Sequence, residues 1–194
     1  MVKVGVFGPQ GAGKTTFAMI LARSFQSRDS RCKIYTNITN IDNDPSMVTI
    51  SDLVEIPFQD GLPKIVVVDE AYFTVGSRSS SSKQNMTWTK AHALFRKSDI
   101  VLTLFVTHQP NMIDVNIRNL LEFVVMGRKN KNIFDYIFYE CISKMYTPFS
   151  IPKIKPVFDY ARFNTKDFPN AIDVIELEKN PVFRDLSKRV TGKA

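Results

Sequence analysis

Eight consecutive residues near the start of the chain have the make-up of a phosphate cradle. Gly8-Pro9-Gln10-Gly11-Ala12-Gly13-Lys14-Thr15 fits the spacing G-x-x-x-x-G-K-[ST]. Glycine lets a backbone curl until successive N–H groups converge on phosphate oxygens. A helix opening at Lys14 adds the positive end of its dipole. Lys14 supplies a point charge for the β- and γ-phosphates, and Thr15 a hydroxyl for Mg²⁺. The expected ligands are therefore a nucleoside triphosphate and Mg²⁺, the former held by Gly8, Gln10, Gly11, Ala12, Gly13, Lys14, Thr15 and Thr16.

A second set of residues could act on what the cradle holds. Ile65-Val66-Val67-Val68 runs into Asp69-Glu70. Asp69 can hold Mg²⁺ together with Thr15, and Glu70 can polarise a water for attack on the γ-phosphate. A glutamate there favours water as the acceptor, and so hydrolysis. Gln109 ends the next apolar run and can sense the γ-phosphate or orient the attacking water. His108 beside it is given no catalytic role, and His92 has no companion ligands. The transition state also needs positive charge, which in oligomeric ATPases often comes from a neighbouring subunit's arginine. Arg78, Arg96, Arg118 and Arg128 are candidates, with Arg96 and Arg78 placed closest to the motifs.

These residues need elements to position them. The patterning predicts strands at 2–7, 33–38, 64–68 and 100–107, and helices at 14–25, 86–97 and 113–121. A strand pair is expected at 123–126 and 133–141. The serine-rich stretch 76–85 reads as a mobile surface loop. Pro148, Pro152 and Pro156 are expected to break any long element, and 165–177 is a candidate helix. Near-continuous apolar strands alternating with helices predict a three-layer α/β fold around a mostly parallel sheet. Gly8–Thr15, Asp69-Glu70 and His108-Gln109 then all fall at carboxyl ends of strands, where such sheets bind ligands.

Size and composition agree. The chain has 194 residues, 44% hydrophobic and 23% charged, which suits one domain. Residues 1–129 form the motif-bearing core and 130–194 a β-rich extension. No apolar run approaches the ~18 residues of a membrane span. The net charge of +7 favours a polyanionic partner. Cys32 and Cys141 form no CxxC pair, which fits a reducing compartment.

The motifs in this order resemble the FtsK–HerA superfamily of P-loop motors, and within it the Zot-like and viral genome-packaging ATPases. The residues that carry the resemblance are GPQGAGKT, IVVVDE and FRKSDIVLTLFVTHQP, with Ile113, Asp114 and Arg118 downstream and Thr36-Asn37-Ile38 at a strand end. It covers about residues 2–129. The resemblance makes the nucleotide ATP, and implies a catalytic-glutamate ATPase with an additional strand in its sheet, working as a homohexameric ring. That ring would move double-stranded DNA without reading its sequence, dock on a capsid or virion membrane protein, and work in the host cytoplasm or on the virion. It assigns Arg96 the place before the sensor strand. His108, between Thr107 and Gln109, departs from the family pattern. Arg78 and Lys83 in one loop, and Arg128, Lys129 and Lys131 in another, suit contact with a phosphate backbone. The alternatives are a Zot-like assembly ATPase, a small nucleoside or nucleotide kinase, and an ATP-binding scaffold without turnover. A GTPase is disfavoured because Asn130-Lys131-Asn132-Ile133 lacks the aspartate of a guanine reader.

Overall fold

A computed structural model describes residues 1–39, 43–77, 83–163, 169–174 and 176–185. Eight strands form one sheet: β1 (Val2–Phe7), β2 (Lys33–Thr36), β3 (Met47–Thr49), β4 (Lys64–Val68), β5 (Ile100–Thr107), β6 (Phe123–Lys129), β7 (Ile133–Glu140) and β8 (Tyr146–Pro152). Their order is β3-β2-β4-β5-β1-β6-β7-β8. The first six strands in that order run parallel, and β7 and β8 are added antiparallel to their neighbours. The helices are α1 (Lys14–Gln26), α2 (Lys83–Leu94), α3 (Val115–Arg118) and α4 (Lys155–Ala161). β5 stands between β1, which carries the glycine-rich loop, and β4, which carries the acids. This intervening strand is the additional one expected from the resemblance.

The central strands are apolar on both faces because both faces are covered. Val4, Val6, Ile65, Val67, Leu102, Leu104 and Val106 pack toward α1, with Phe17, Ala18 and Ala22. Phe7, Val66, Val68 and Phe105 pack the other way, against Trp88, Ala91 and Phe95. Ile172, Val174 and Leu177 extend that second core. The Trp88 indole N–H donates to the Ile172 carbonyl at 3.3 Å, so its polar edge is satisfied in the interior.

Several sequence expectations change. The helix expected at 86–97 begins at Lys83, inside the stretch read as a loop to residue 85, and tightens into a 3₁₀ turn over Phe95–Ser98. The helix expected at 113–121 shrinks to α3. A 3₁₀ turn over Pro110–Met112 precedes it, and the Asp114 carboxylate caps it by accepting the Asn116 amide at 2.9 Å. Part of the helix expected at 165–177 lies outside the described residues.

The largest correction is β8, a seven-residue strand containing two of the prolines expected to break one. Tyr146, Pro148, Ser150 and Pro152 pair with Tyr139, Ile137, Asp135 and Ile133. The neighbouring pair donates inward, Glu140 N–H to the Met145 carbonyl at 2.9 Å. By alternation, residues 148 and 152 have their nitrogens on the outer edge, where no ladder bond is lost. Proline there also removes donors that could recruit another strand.

His92 on α2 is 1% exposed, between the rings of Phe95 and Phe105, and neither ring nitrogen has a hydrogen-bond partner among the described residues. Burial, with a smaller effect of Lys3, lowers its pKa to about 3. The unfolded chain therefore takes up a proton near pH 6.5 that the native state refuses until about pH 3, so stability is lost as pH falls through that window. His92→Leu is expected to raise stability at pH 7 by about 1–3 kcal/mol. It should also flatten the acid limb of a denaturation series measured between pH 7 and 4.

Candidate nucleotide site

The loop 8–15 leaves the end of β1 and turns into α1 with three glycines at positive φ. Two of them leave no room for a side chain. A Cβ on Gly8 (φ 148°) would stand 2.5 Å from the Gly127 carbonyl oxygen, and one on Gly13 (φ 77°) would stand 2.3 Å from the Phe134 ring. Glycine is needed there both for conformation and for close approach. The Gly13 carbonyl accepts from the Phe17 amide at 2.9 Å and from the Tyr136 hydroxyl at 2.8 Å. β6 and β7 thus form a wall that holds the loop open. A strand pair is expected in this region, but its place against the loop follows only from the pairing of β6 with β1 and of β7 with β6.

Lys14 is 7% exposed and reaches back over the loop, donating to the Pro9 carbonyl at 3.2 Å. Burial lowers its pKa, while Glu70 and Asp69 pull the other way. The Thr15 hydroxyl donates to the Asp69 carboxylate, 3.1 and 3.2 Å from its two oxygens. The cradle and the first acid are therefore in direct contact across 54 residues of sequence.

Asn37, at the end of β2, fixes the acid pair. Its side-chain oxygen accepts the Asp69 amide at 2.8 Å, and its side-chain nitrogen donates to the Asp69 carbonyl at 2.8 Å and the Asn170 carbonyl at 2.7 Å. Asp69 is 7% exposed, and burial together with the adjacent Glu70 raises its pKa to about 6. Glu70 adopts the left-handed region (φ 45°), where a non-glycine residue is held at an energetic cost. Its Oε2 is shielded from solvent and has no hydrogen-bond partner among the described residues. A carboxylate oxygen in that condition suits a bound water that awaits deprotonation.

His108 is the residue that sequence reasoning passed over. Its Nδ1 lies 3.4 Å from Lys14 Nζ, and its Nε2 lies 3.8 Å from Glu70 Oε2. The tautomer that suits both neighbours has Nδ1 accepting from Lys14 and Nε2–H facing Glu70. Gln109 is exposed and makes no side-chain capping bond to the turn it opens. Strand ends can place adjacent residues on opposite sides, and here His108 faces the cradle.

The arginines are dispersed. The backbone of Arg96 lies in the turn before β5, about 25 Å of strand away from the His108 end, and its side chain is outside the described set. It cannot serve the cradle of its own chain. Arg78 lies outside the described residues. Arg118 donates to the Pro110 carbonyl at 3.4 Å, and Arg128 is exposed near the end of β6.

The donors at Thr15 and Asp69 are hard oxygens, the kind that Mg²⁺ prefers. The raised pKa of Asp69 marks a buried acid that lacks sufficient positive charge nearby. The residues present therefore fit Mg²⁺ brought in with a nucleotide.

Several solved structures share this fold. The N-terminal domain of zonular occludens toxin from Neisseria meningitidis matches with a TM-score of 0.58 at 21% identity, covering 84% of this chain and 98% of that one. The genome packaging NTPase B204 of Sulfolobus turreted icosahedral virus 2, in complex with ATP-gammaS, matches with a TM-score of 0.56 at 10% identity, covering 79% and 98%. A DnaB-like replicative helicase matches at 0.55 and 11% identity, covering 84% of this chain and 56% of that one. Comparison with the curated proteins gives no significant match. Among the described residues, no helix is long and apolar enough to cross a membrane. The family model "ATPase family associated with various cellular activities (AAA)" matches residues 4–128, which include the cradle, the acid pair and His108. The chain therefore belongs to the AAA family of P-loop ATPases.

Proposed function

We propose that this chain is the motor subunit of an FtsK–HerA-type machine that hydrolyses ATP to move double-stranded DNA, most specifically to package a viral genome. The observation that carries the enzymatic part is the convergence of Lys14, Thr15, Asp69, Glu70 and His108 on one end of the sheet. The backbone of residues 8–16 and the Lys14 ammonium bind the triphosphate. Thr15 and Asp69 hold Mg²⁺, which when bound neutralises charge on the β- and γ-phosphates. Glu70 accepts the proton of the attacking water at its unpartnered Oε2. His108 holds Lys14 before nucleotide arrives and orients Glu70 once Lys14 has moved to the phosphates. Arg96 or Arg78 from a neighbouring copy supplies the remaining positive charge, in a homohexameric ring.

The DNA part is supported by the likeness to a packaging NTPase over most of both chains, by the net charge of +7, and by the exposed Arg128 and Lys131. Such a ring binds duplex DNA through its phosphates without reading bases, docks on a capsid or virion membrane protein, and works in the host cytoplasm or on the virion. A second reading, a Zot-like assembly or secretion ATPase, is favoured by the higher identity of that match.

The deciding measurement is ATPase rate with and without duplexes of two unrelated sequences, together with a mass measurement in the presence of nucleotide. Stimulation of about fivefold or more by both duplexes, in a ring of several copies, is expected. Turnover indifferent to DNA would leave the assembly-ATPase reading, and phosphate transfer to a nucleoside would establish a kinase. His108→Ala is expected to lower turnover about tenfold and Gln109→Ala to change it less than twofold. The reverse order in steady-state phosphate release would return the sensing role to Gln109.

A further inference from the structure

The sheet order fixes which way a bound nucleotide must lie. The acids end β4, two strands from β1 on the β5 side, while β6 and β7 flank β1 on the other side. A triphosphate in the cradle has its terminal phosphorus by Lys14, Thr15 and Glu70. Its nucleoside then extends away from the acids, over the ends of β6 and β7.

Two segments from the part of the chain beyond the motifs meet there. At the end of β6, the Lys129 Cε lies 3.7 Å from where a Gly11 Cβ would stand, so its aliphatic stem rests on the loop. Phe134 packs on Gly13. At the β8–α4 junction, the Lys153 ammonium lies 4.7 Å from the Phe134 ring centroid and donates to the Asn130 carbonyl. Phe158 stands edge-on to Phe134 with centroids 5.9 Å apart, and is 36% exposed; Ile154 is 49% exposed. The result is an uncovered aromatic and aliphatic wall, flanked by two ammonium groups, next to the cradle.

We propose that this wall is the nucleoside subsite. Ile154 and Phe158 take the face of the base, and Lys129 takes the negative charge of the nearest phosphate. The inference rests on the nucleotide-binding reading above and extends it to residues 127–158. One N–H of the Asn130 side-chain amide is committed to Asp135 at 2.8 Å, and the contacts offered by Ile154 and Phe158 hold the base by its face. Stacking is sequence-tolerant because every base has a π-face, so ATP and GTP should bind within about tenfold of each other.

The test uses the full chain and two ligands, ATP and inorganic tripolyphosphate, which has the phosphates without the nucleoside. Phe158→Ala, at a half-exposed position, is expected to weaken ATP roughly tenfold, the scale of one lost base–aromatic contact, and to leave tripolyphosphate within twofold. Equal weakening of both ligands, or no change in either, overturns the subsite. Photolabelling with 2-azido-ATP should mark peptides within 127–134 or 153–158, and labelling confined to other segments also overturns it. Lys14→Ala separates the two ideas: it should lose both ligands, and if it keeps both, the cradle assignment fails whatever Phe158 does.

Discussion

Replacing Glu70 with glutamine is expected to cut ATP turnover by about 10²–10⁴-fold, the usual contribution of a positioned general base, while ATP affinity stays within a few-fold. The split follows from the geometry. Among the described residues the Glu70 Oε2 is buried without a hydrogen-bond partner, facing His108 at 3.8 Å. Glutamine keeps the shape and can adopt the same left-handed backbone, but it cannot take a proton. It also removes the negative charge that helps raise the pKa of Asp69, so Mg²⁺-dependent binding should not suffer. Equilibrium nucleotide binding beside single-turnover phosphate release reads both quantities. Turnover within threefold of the parent would remove Glu70 from the chemistry.

Lys14→Ala acts on the earlier step. Hydrogen bonds from a charged donor each contribute about 1.5–3 kcal/mol, and Lys14 can offer two to the β- and γ-phosphates, so ATP affinity should fall by roughly 10²–10⁴-fold. The free protein should tolerate the change, because among the described residues the Lys14 ammonium is hydrogen-bonded to the Pro9 carbonyl and the His108 ring alone, and its burial disfavours its charge against the pull of Glu70 and Asp69. Calorimetric titration with ATP and a thermal melt of the free protein distinguish lost binding from lost folding. Retained affinity with an unchanged melt would mean that triphosphate does not sit in this loop.

Chemistry encoded in contiguous residues was legible without a structure. The run Gly8–Thr15 specifies its own curled backbone through glycine spacing, and Asp69-Glu70 follows a strand too apolar to be anything but buried. β5 falls at Ile100–Thr107 as expected, because an eight-residue apolar run covered on both faces has little alternative. The fold class followed from strands and helices that alternate along the chain.

Other features depend on which elements become neighbours. The exchange of His108 for Gln109 at the cradle is set by the register of β5 against β1, where Phe7 pairs with Thr107 and the Gly8 amide donates to the His108 carbonyl at 3.1 Å. No local signal distinguishes two adjacent polar residues at a strand end, since a shift of one residue exchanges their sides. The distance of Arg96 from its own cradle follows from the direction of β5. Prolines in β8 are harmless only because the pairing parity turns their nitrogens outward, and parity belongs to the sheet, not the segment. The wall of Gly127, Phe134 and Tyr136 around the loop comes from a chain that returns more than a hundred residues later. Gly8–Thr15 and Asp69-Glu70 thus point to nucleotide chemistry from their order along the chain, because phosphate-binding geometry is local. The side chains around them could not be read that way, because register and strand order choose them, and long-range pairing sets both.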